Sequence, residues 1–256
     1  MTTVDRYEPG TFCWPELATT DSEGAKQFYS KLFGWIWEDS PAGPDMVYSR
    51  LKKGGKDVGA LYKMRVDQKG MPPNWMSYIS VASVDEAAKK ARELGGQILM
   101  EPFDVMEFGR MAVVKDPQGA TFSLWEPRTH FGAQVVNEPG ALCWDELHTT
   151  DTAAAANFYT RLFGWTTKAG GDYTEFHRGE EAAGGMMAIR KEWGPVPPNW
   201  LVYFAVADCH ETAAKASELG AHTVVPPMDI PKVGRFAILA DPQGAVFAII
   251  KLDLRP

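Results

Sequence analysis

Two short strand-like segments place a carboxylate beside a tryptophan in the alternating pattern of a strand. In CWPELATT, Trp14 and Glu16 are two residues apart, and in CWDELHTT the same spacing joins Trp144, Glu146 and His148. Because side chains alternate along a strand, each set projects from one face. A carboxylate among apolar rings has a raised pKa and can act as a general acid or base, or anchor a ligand hydroxyl. Glu16 and Glu146 are therefore candidate catalytic residues; the alternative is that they only hydrogen-bond nearby backbone or an arginine.

Other polar residues give weaker signals. Glu146 and His148 share a strand face and could contribute to a metal site, but two ligands do not complete one. Arg110 follows a glycine and could either bind a carboxylate ligand or pin a loop. Cys13 and Cys143, next to inward-facing tryptophans, are expected to point away from the cleft and to be poor nucleophiles.

The segments around these residues belong to an internal repeat. TFCWPELATTDSEGAKQFYSKLFGW, which begins at Thr11, recurs as ALCWDELHTTDTAAAANFYTRLFGW from Ala141, and the motifs PPNW and DPQGA also occur twice. A repeat of this length predicts two homologous domains. We place the first domain at residues 8–128, a linker at 129–137 and the second domain at 138–254.

Each domain divides again into two modules. Hydrophobic periodicity and turn residues predict one strand, one helix and three further strands in each module, at residues 10–64, 74–127, 140–190 and 199–253. Capping-box patterns, Thr20 with Glu23 and Ser83 with Glu86, mark two of the helix starts. The first helix is expected to bury one stripe of side chains: Ala25, Phe28, Tyr29 and Leu32.

The motifs resemble those of the vicinal oxygen chelate superfamily, which includes glyoxalase I, bleomycin-resistance proteins and extradiol dioxygenases. The resemblance rests on TTD, then FY, then LFGW, and on a late DPQGA, all in both halves. WxEL-x-TTD with PPxW and VGR is similar to two-domain, glyoxalase-like bacterial proteins often labelled hydroxylases. This implies an α+β fold of four βαβββ modules paired into two partly open β-barrel domains. Modules one and two could pair, or modules one and four.

The resemblance also implies where a metal would bind. Metal-dependent members place ligands at three positions, which correspond here to Trp14, Met76 and Ser123 in the first half and to Trp144, Leu201 and Ala248 in the second. Indole, thioether, hydroxyl and alkyl side chains do not form a divalent metal site. We therefore predict that the family's usual metal site is missing from both halves and that no cofactor is bound.

Strand alternation predicts what lines the two clefts instead. The first cleft is expected to be aromatic and apolar with one carboxylate, which suits a small, flat, partly apolar ligand. The candidate ligand-binding residues of both clefts are Trp14, Met76, Tyr78, Ser123, Trp125, Trp144, His148, Leu201 and Tyr203.

Composition narrows the remaining possibilities. The 256 residues carry a formal charge of −7 and no basic run, so nucleic acid is not an expected partner. No apolar stretch is long enough to span a membrane, no signal peptide is evident and the three cysteines form no CxxC, which together predict a cytoplasmic protein with reduced thiols. A monomer or a homodimer is expected.

Two functions are favoured at this point, ahead of metal-dependent isomerase or dioxygenase chemistry through non-standard ligands. The first is acid or base chemistry of a hydroxylase or lyase type on a small aromatic metabolite, with Glu16 or Glu146 as the acting group. The alternative is non-catalytic binding or sequestration of a small molecule, as in bleomycin-resistance proteins. Glyoxalase I activity is not expected, because the metal positions lack ligands.

Overall fold

The computed structural model describes residues 3–43, 46–68 and 70–253. The first half contains eight strands and two helices in the predicted order. They are β1 (Phe12–Thr19), α1 (Ser22–Phe33), β2 (Ile36–Gly43), β3 (Met46–Lys53), β4 (Lys56–Lys63), β5 (Asn74–Ser80), α2 (Val84–Glu93), β6 (Gln97–Val105), β7 (Gly109–Lys115) and β8 (Thr121–Pro127).

The second half repeats the same plan. Its elements are β9 (Leu142–Thr149), α3 (Thr152–Phe163), β10 (Thr166–Gly170), β11 (Tyr173–Arg178), β12 (Glu181–Ala188), β13 (Asn199–Ala205), α4 (Cys209–Glu218), β14 (His222–Ile230), β15 (Gly234–Ala240) and β16 (Val246–Leu252). The predicted α+β fold of four βαβββ modules is confirmed. Among the described residues, no helix is long and apolar enough to cross a membrane.

The helix starts differ in one respect from the prediction. Asp21, rather than Thr20, caps α1, since its carboxylate accepts the backbone N–H of Gly24 at 3.1 Å. An aspartate accepts this bond as readily as a threonine, so the neighbouring residue with the right backbone geometry takes the role. Ser83 caps α2 as predicted, accepting the N–H of Glu86.

Each half forms one eight-stranded sheet. In the first half β1 pairs antiparallel with β5, which joins modules one and two in the strand order β2-β3-β4-β1-β5-β8-β7-β6. The second sheet has the same order, joined through β9 and β13. The first sheet curls into a half-barrel. The open question about pairing is thereby answered: each sheet joins the two modules of one half, so residues of one cleft come from one half.

The helices pack across the two halves. Helix α1 contacts α4, and α2 contacts α3. One buried core joins module one with module four, for example Tyr29 and Trp35 with Phe204 and Phe247, and the other core joins modules two and three. Sheet pairing and helix packing therefore link different modules, which unites the four into one molecule.

The repeated motifs build buried links between the halves. Trp75 Nε1 donates to the Tyr29 hydroxyl at 2.9 Å, and that hydroxyl donates to Asp241 Oδ2 at 3.0 Å. The second copy of the link runs from Trp200 through Tyr159 to Asp116 with 2.9 Å at both steps. The FY, PPNW and DPQGA motifs thus meet in the core, and this contact gives their recurrence a structural reason.

Candidate functional site

The first cleft is the sheet face that carries Trp14, Glu16, Tyr48, Met76 and Tyr78. Strand register places Trp14 opposite Tyr78 and Glu16 opposite Met76 on β1 and β5, while Tyr48 comes from β3. Tyr48 donates its hydroxyl to Glu16 Oε2 at 2.7 Å, and Tyr78 donates to Glu16 Oε1 at 2.8 Å. Trp14 Nε1 donates to the Tyr48 oxygen at 3.1 Å. The four side chains form one hydrogen-bonded quartet.

The second cleft contains the equivalent quartet. Trp144 Nε1 donates to the Tyr173 hydroxyl at 2.8 Å, and Tyr203 donates to Glu146 Oε1 at 3.0 Å. His148 adds a third neighbour, with its Nε2 at 2.8 Å from the same Glu146 oxygen. The His148 ring also lies 5.1 Å from the ring of Trp193. The two quartets therefore match, but among the described residues an imidazole contacts the glutamate only in the second cleft.

Tyr48 and Tyr173 were absent from the predicted cleft residues. They stand at equivalent places, since Tyr48 pairs with Tyr62 on β4 and Tyr173 pairs with Met187 on β12. The signal was in the sequence, because the repeat contains one tyrosine in MVYSR and another in DYTEF. These tyrosines could not be assigned to the clefts from sequence alone, because the alternation of side chains along a strand does not indicate which other strand will pair with it.

Glu16 is held by neutral donors. Burial raises the pKa of Glu16 above its usual value, while the bonds from the Tyr48 and Tyr78 hydroxyls lower it. Burial and the Glu16 charge raise the pKa of both tyrosines well above 10.0, so they remain protonated donors. No ion pair among the described residues involves Glu16, nor does backbone or an arginine bond it. Its carboxyl group is thus oriented without a cation to stabilise its charge.

The remaining wall of the first cleft comes from β8 and the segment after it. Trp125 is buried and donates its Nε1 to the carbonyl of His130 at 2.9 Å. The His130 ring lies edge-on against Trp14, with ring centroids 4.6 Å apart, and burial lowers the pKa of His130. Ser123 is fully buried, and its hydroxyl has no partner among the described residues. The sequence did not predict that His130 would pack over Trp14.

The second cleft has a more aliphatic wall. A buried cluster unites side chains of β13 and β16, with residues of β9 and β15 packed against it. The cluster comprises Leu201, Tyr203, Ala248 and Ile250, with Cys143, Trp144, Phe236 and Ile238 at its edge.

These residues do not fit the metal that the family implies. The positions of the usual ligands hold Trp14, Met76 and Ser123 in the first cleft, and none of these side chains is a divalent-metal ligand of the required kind. Within residues 3–43, 46–68 and 70–253, no three His, Cys, Asp or Glu side chains converge. The pair of Glu146 and His148 therefore lacks a third such ligand in the described chain.

The expected orientation of the cysteines is wrong. A β-bulge between Phe12 and Trp14 breaks the alternation, so Cys13 lies fully buried in the same cluster as Trp14 and Tyr78. Cys143 packs at the edge of the corresponding cluster in the second half. Burial raises the pKa of both thiols, which disfavours the nucleophilic thiolate.

Arg110 pins a helix and a strand. Its guanidinium donates to both carboxylate oxygens of Asp85, at 2.7 and 3.0 Å, and to Asp104 at 2.8 Å. These bonds link the first turn of α2 to β6. Of the two roles considered for this arginine, the structural one therefore fits the observed contacts.

Two cavities lie where the first and second halves of the chain meet, outside the cleft that holds Glu16. One, of about 610 Å³, is lined by Gly10, Ser83 and Phe163 among others. The other, of about 300 Å³, lies where the start of β1 meets the start of β9, and its wall includes Thr11, Cys143 and Asp145.

Comparisons with known proteins agree with this architecture. Residues 11–124 and 131–249 match the family model described as Glyoxalase/Bleomycin resistance protein/Dioxygenase superfamily. The chain is 43% identical to the "Putative glyoxylase CFP32" of Mycobacterium bovis, covering 96% of each chain. It is 35% identical to the "Anthracycline biosynthesis protein DnrV" of Streptomyces peucetius, covering 97% of this chain and 96% of that one.

Solved structures share the fold at low identity. The Mn(II)-bound glyoxalase from Novosphingobium aromaticivorans superposes with a TM-score of 0.66 and 17% identity, covering 96% of this chain and 83% of that one. The 2,3-dioxygenase LapB from Pseudomonas sp. KL28 superposes with a TM-score of 0.61 and 14% identity, covering 100% of this chain and 95% of that one. With two family domains and four βαβββ modules, the chain belongs to the glyoxalase/bleomycin resistance protein/dioxygenase superfamily.

Proposed function

We propose that the first cleft binds a small, flat, hydroxylated aromatic metabolite and that Glu16 exchanges a proton with it. The observation that carries this proposal is the Glu16 carboxyl group, which has a raised pKa and is held by two phenols within an aromatic wall. Carboxyl groups whose pKa is raised toward neutrality are suited to acid or base catalysis.

The roles of the residues follow from their bonds. Tyr48 and Tyr78 each use one acceptor site on a different Glu16 oxygen, and a carboxylate oxygen has a second site for a ligand hydroxyl. A ligand hydroxyl that donates to that site can pass its proton to Glu16, and the protonated carboxyl can return it. Trp14 and Trp125 are buried in the aromatic wall beside this carboxyl group.

One relative supports this choice of ligand. DnrV, 35% identical to this chain, is named for anthracycline biosynthesis, and anthracyclines are flat, hydroxylated aromatic molecules. An aromatic cleft with one carboxyl group is complementary to a ligand of that chemistry.

Quinizarin, a dihydroxyanthraquinone, is a suitable probe. Its affinity is measured by quenching of tryptophan fluorescence and its ionisation by visible absorption. Glu16→Gln is expected to weaken binding roughly 10-fold, since one hydrogen bond to a charged group is lost. The matched variant Glu146→Gln leaves binding to the first cleft unchanged. Equal affinities for the wild type and both variants would show that Glu16 is not the anchor.

A second candidate function is sequestration without chemistry. It is favoured by the side chains of Trp14, Met76 and Ser123, because they do not provide the ligands for the metal that catalytic members of the family use. The two functions differ in the fate of the ligand. Mass spectrometry of ligand recovered after long incubation shows an altered mass if the cleft is catalytic and the original mass if it only binds.

We also propose that neither function needs a metal. Native mass spectrometry of protein purified without chelator is expected to give the mass of the chain, as a monomer or a homodimer, with or without an organic adduct. A stoichiometric metal that chelator treatment removes together with quinizarin binding would contradict this proposal.

A further inference from the structure

The segment that joins the two halves also fills a groove in the first half. Ala133 donates its backbone N–H to the Cys13 carbonyl at 2.8 Å, beside the bulge of β1. Gln134 donates its N–H to the Asp57 carbonyl at 2.7 Å, and its side-chain oxygen accepts the Asp57 N–H at 2.9 Å. Ala133 and Val135 are fully buried. Residues 132–135 thus pack against β1 and β4 through backbone hydrogen bonds and buried small side chains.

The second half has the equivalent groove, where no residue of the described chain makes the backbone bonds that this segment makes in the first half. The strand registers place Cys143 where the first half has Cys13, and Ala182 where it has Asp57. Beyond the ladders of their own sheet, neither Cys143 nor Ala182 has a backbone hydrogen bond to another described residue. The cavity of about 300 Å³ lies here, and Cys143, Ala182 and Ala183 form part of its wall.

The wall of this groove is mainly apolar and includes a few polar groups. The Thr11 hydroxyl is buried and has no partner in the described chain. Asp145 is buried, bonds to Ser77 of the first half and carries a pKa raised by burial. At the rim Arg178 is paired with Glu181. An occupant without charge and with backbone-like donors and acceptors matches these groups.

We propose that this second-half groove binds an extended, uncharged peptide segment of a partner protein, seated as residues 132–135 are seated in the first half. The first half provides the template for the occupant: a small residue over the bulge, then glutamine, then a β-branched residue. Backbone pairing supplies affinity, and the small pockets supply selectivity, as in other cases where a peptide adds to strand edges. This site is separate from the cleft that holds Glu16.

The probe is a synthetic peptide with the sequence of residues 131–136, Phe-Gly-Ala-Gln-Val-Val, blocked at both ends. Its binding is read from the alkylation rate of Cys143, which is partly exposed whereas Cys13 and Cys209 are buried. Saturating peptide is expected to slow this alkylation at least 10-fold. The matched control is the same peptide methylated on the glutamine backbone nitrogen, which cannot donate to the Ala182 carbonyl and should bind roughly 10-fold more weakly.

A second variant tests the protein side. Ala182→Pro removes the N–H that corresponds to the one Asp57 gives to Gln134, so the peptide should protect Cys143 much less while alkylation without peptide is unchanged. A chemical unfolding curve verifies that the variant is folded. The proposal is overturned if millimolar peptide gives no protection, or if the methylated peptide protects equally well. It is also overturned if protection rises with protein concentration alone, which would identify a second copy of the chain as the occupant.

Discussion

At the scale of single residues, the two clefts share a quartet but differ in its neighbours. Ala18 on β1 corresponds to His148 on β9, so Glu146 contacts an imidazole that Glu16 lacks. Gln68 likewise stands where the second half has Trp193. In the first cleft the bonds from the Tyr48 and Tyr78 hydroxyls lower the pKa of Glu16 against the effect of burial.

The effect of these phenols can be measured on Glu16 itself. Tyr78→Phe removes a donor that stabilises the ionised carboxylate, so the pKa of Glu16 should rise. Carbon-13 NMR of the labelled carboxyl group reports this pKa, with Glu16→Gln to assign the signal. Tyr203→Phe is the matched control, because Tyr203 bonds Glu146 in the other cleft. A Glu16 pKa unchanged by Tyr78→Phe would show that this bond is not formed in solution.

At the scale of elements, the repeated motifs act as links between helices and distant turns. The hydroxyl of Tyr29 on α1 accepts from Trp75 at the start of β5 and donates to Asp241 before β16. Asp241 also accepts backbone N–H groups of its own turn, for example that of Ala245 at 2.9 Å. One tyrosine therefore fixes a helix against two strands, one from each half.

Removal of this hydroxyl is expected to destabilise the protein without altering the cleft. Tyr29→Phe leaves the buried Trp75 N–H and one Asp241 oxygen without their partner, which should cost about 3 kcal/mol of unfolding free energy. Urea unfolding measures this loss. Tyr159→Phe removes the equivalent link and should cost a similar amount. A loss below about 0.5 kcal/mol for both variants would contradict a structural role for the FY motif.

At the scale of the whole molecule, the seam between the halves breaks the symmetry of the repeat. Asp145 of β9 is buried there against Ser77 of β5, whereas the equivalent residue of β1 is Pro15. Burial raises the pKa of Asp145 to about 7, compared with an ordinary value of 3.8. Burial at the seam therefore favours the protonated form of this carboxyl group more than water does.

This seam makes stability depend on pH. Because the folded state holds the Asp145 proton more tightly than the unfolded state, its contribution is present at acidic pH and is lost as pH rises from about 4 to about 7. Three pKa units correspond to roughly 4 kcal/mol. In urea unfolding, Asp145→Asn should therefore gain stability relative to the wild type between these pH values. A constant difference between the two proteins across this range would contradict the assignment.

The fold follows largely from sequence because it depends on local pattern and repetition. The repeat beginning at Thr11 and Ala141, the apolar stripe of α1 and the turn motifs each act over a few residues, so periodicity alone predicts four βαβββ modules. The same alternation placed Trp14 and Glu16 together on one face of β1.

Tertiary structure decided everything that depends on distant neighbours. Tyr48 on β3 reaches Glu16 on β1 because only β4 lies between these two strands in the sheet. His130 covers Trp14 because the chain after β8 passes over the first cleft. The β1 bulge turned Cys13 against its expected direction, since one extra residue reverses the alternation. A strand's sequence determines which side chains share a face. Its partners, and hence the direction in which the pKa values of Glu16 and Asp145 shift, are determined by packing.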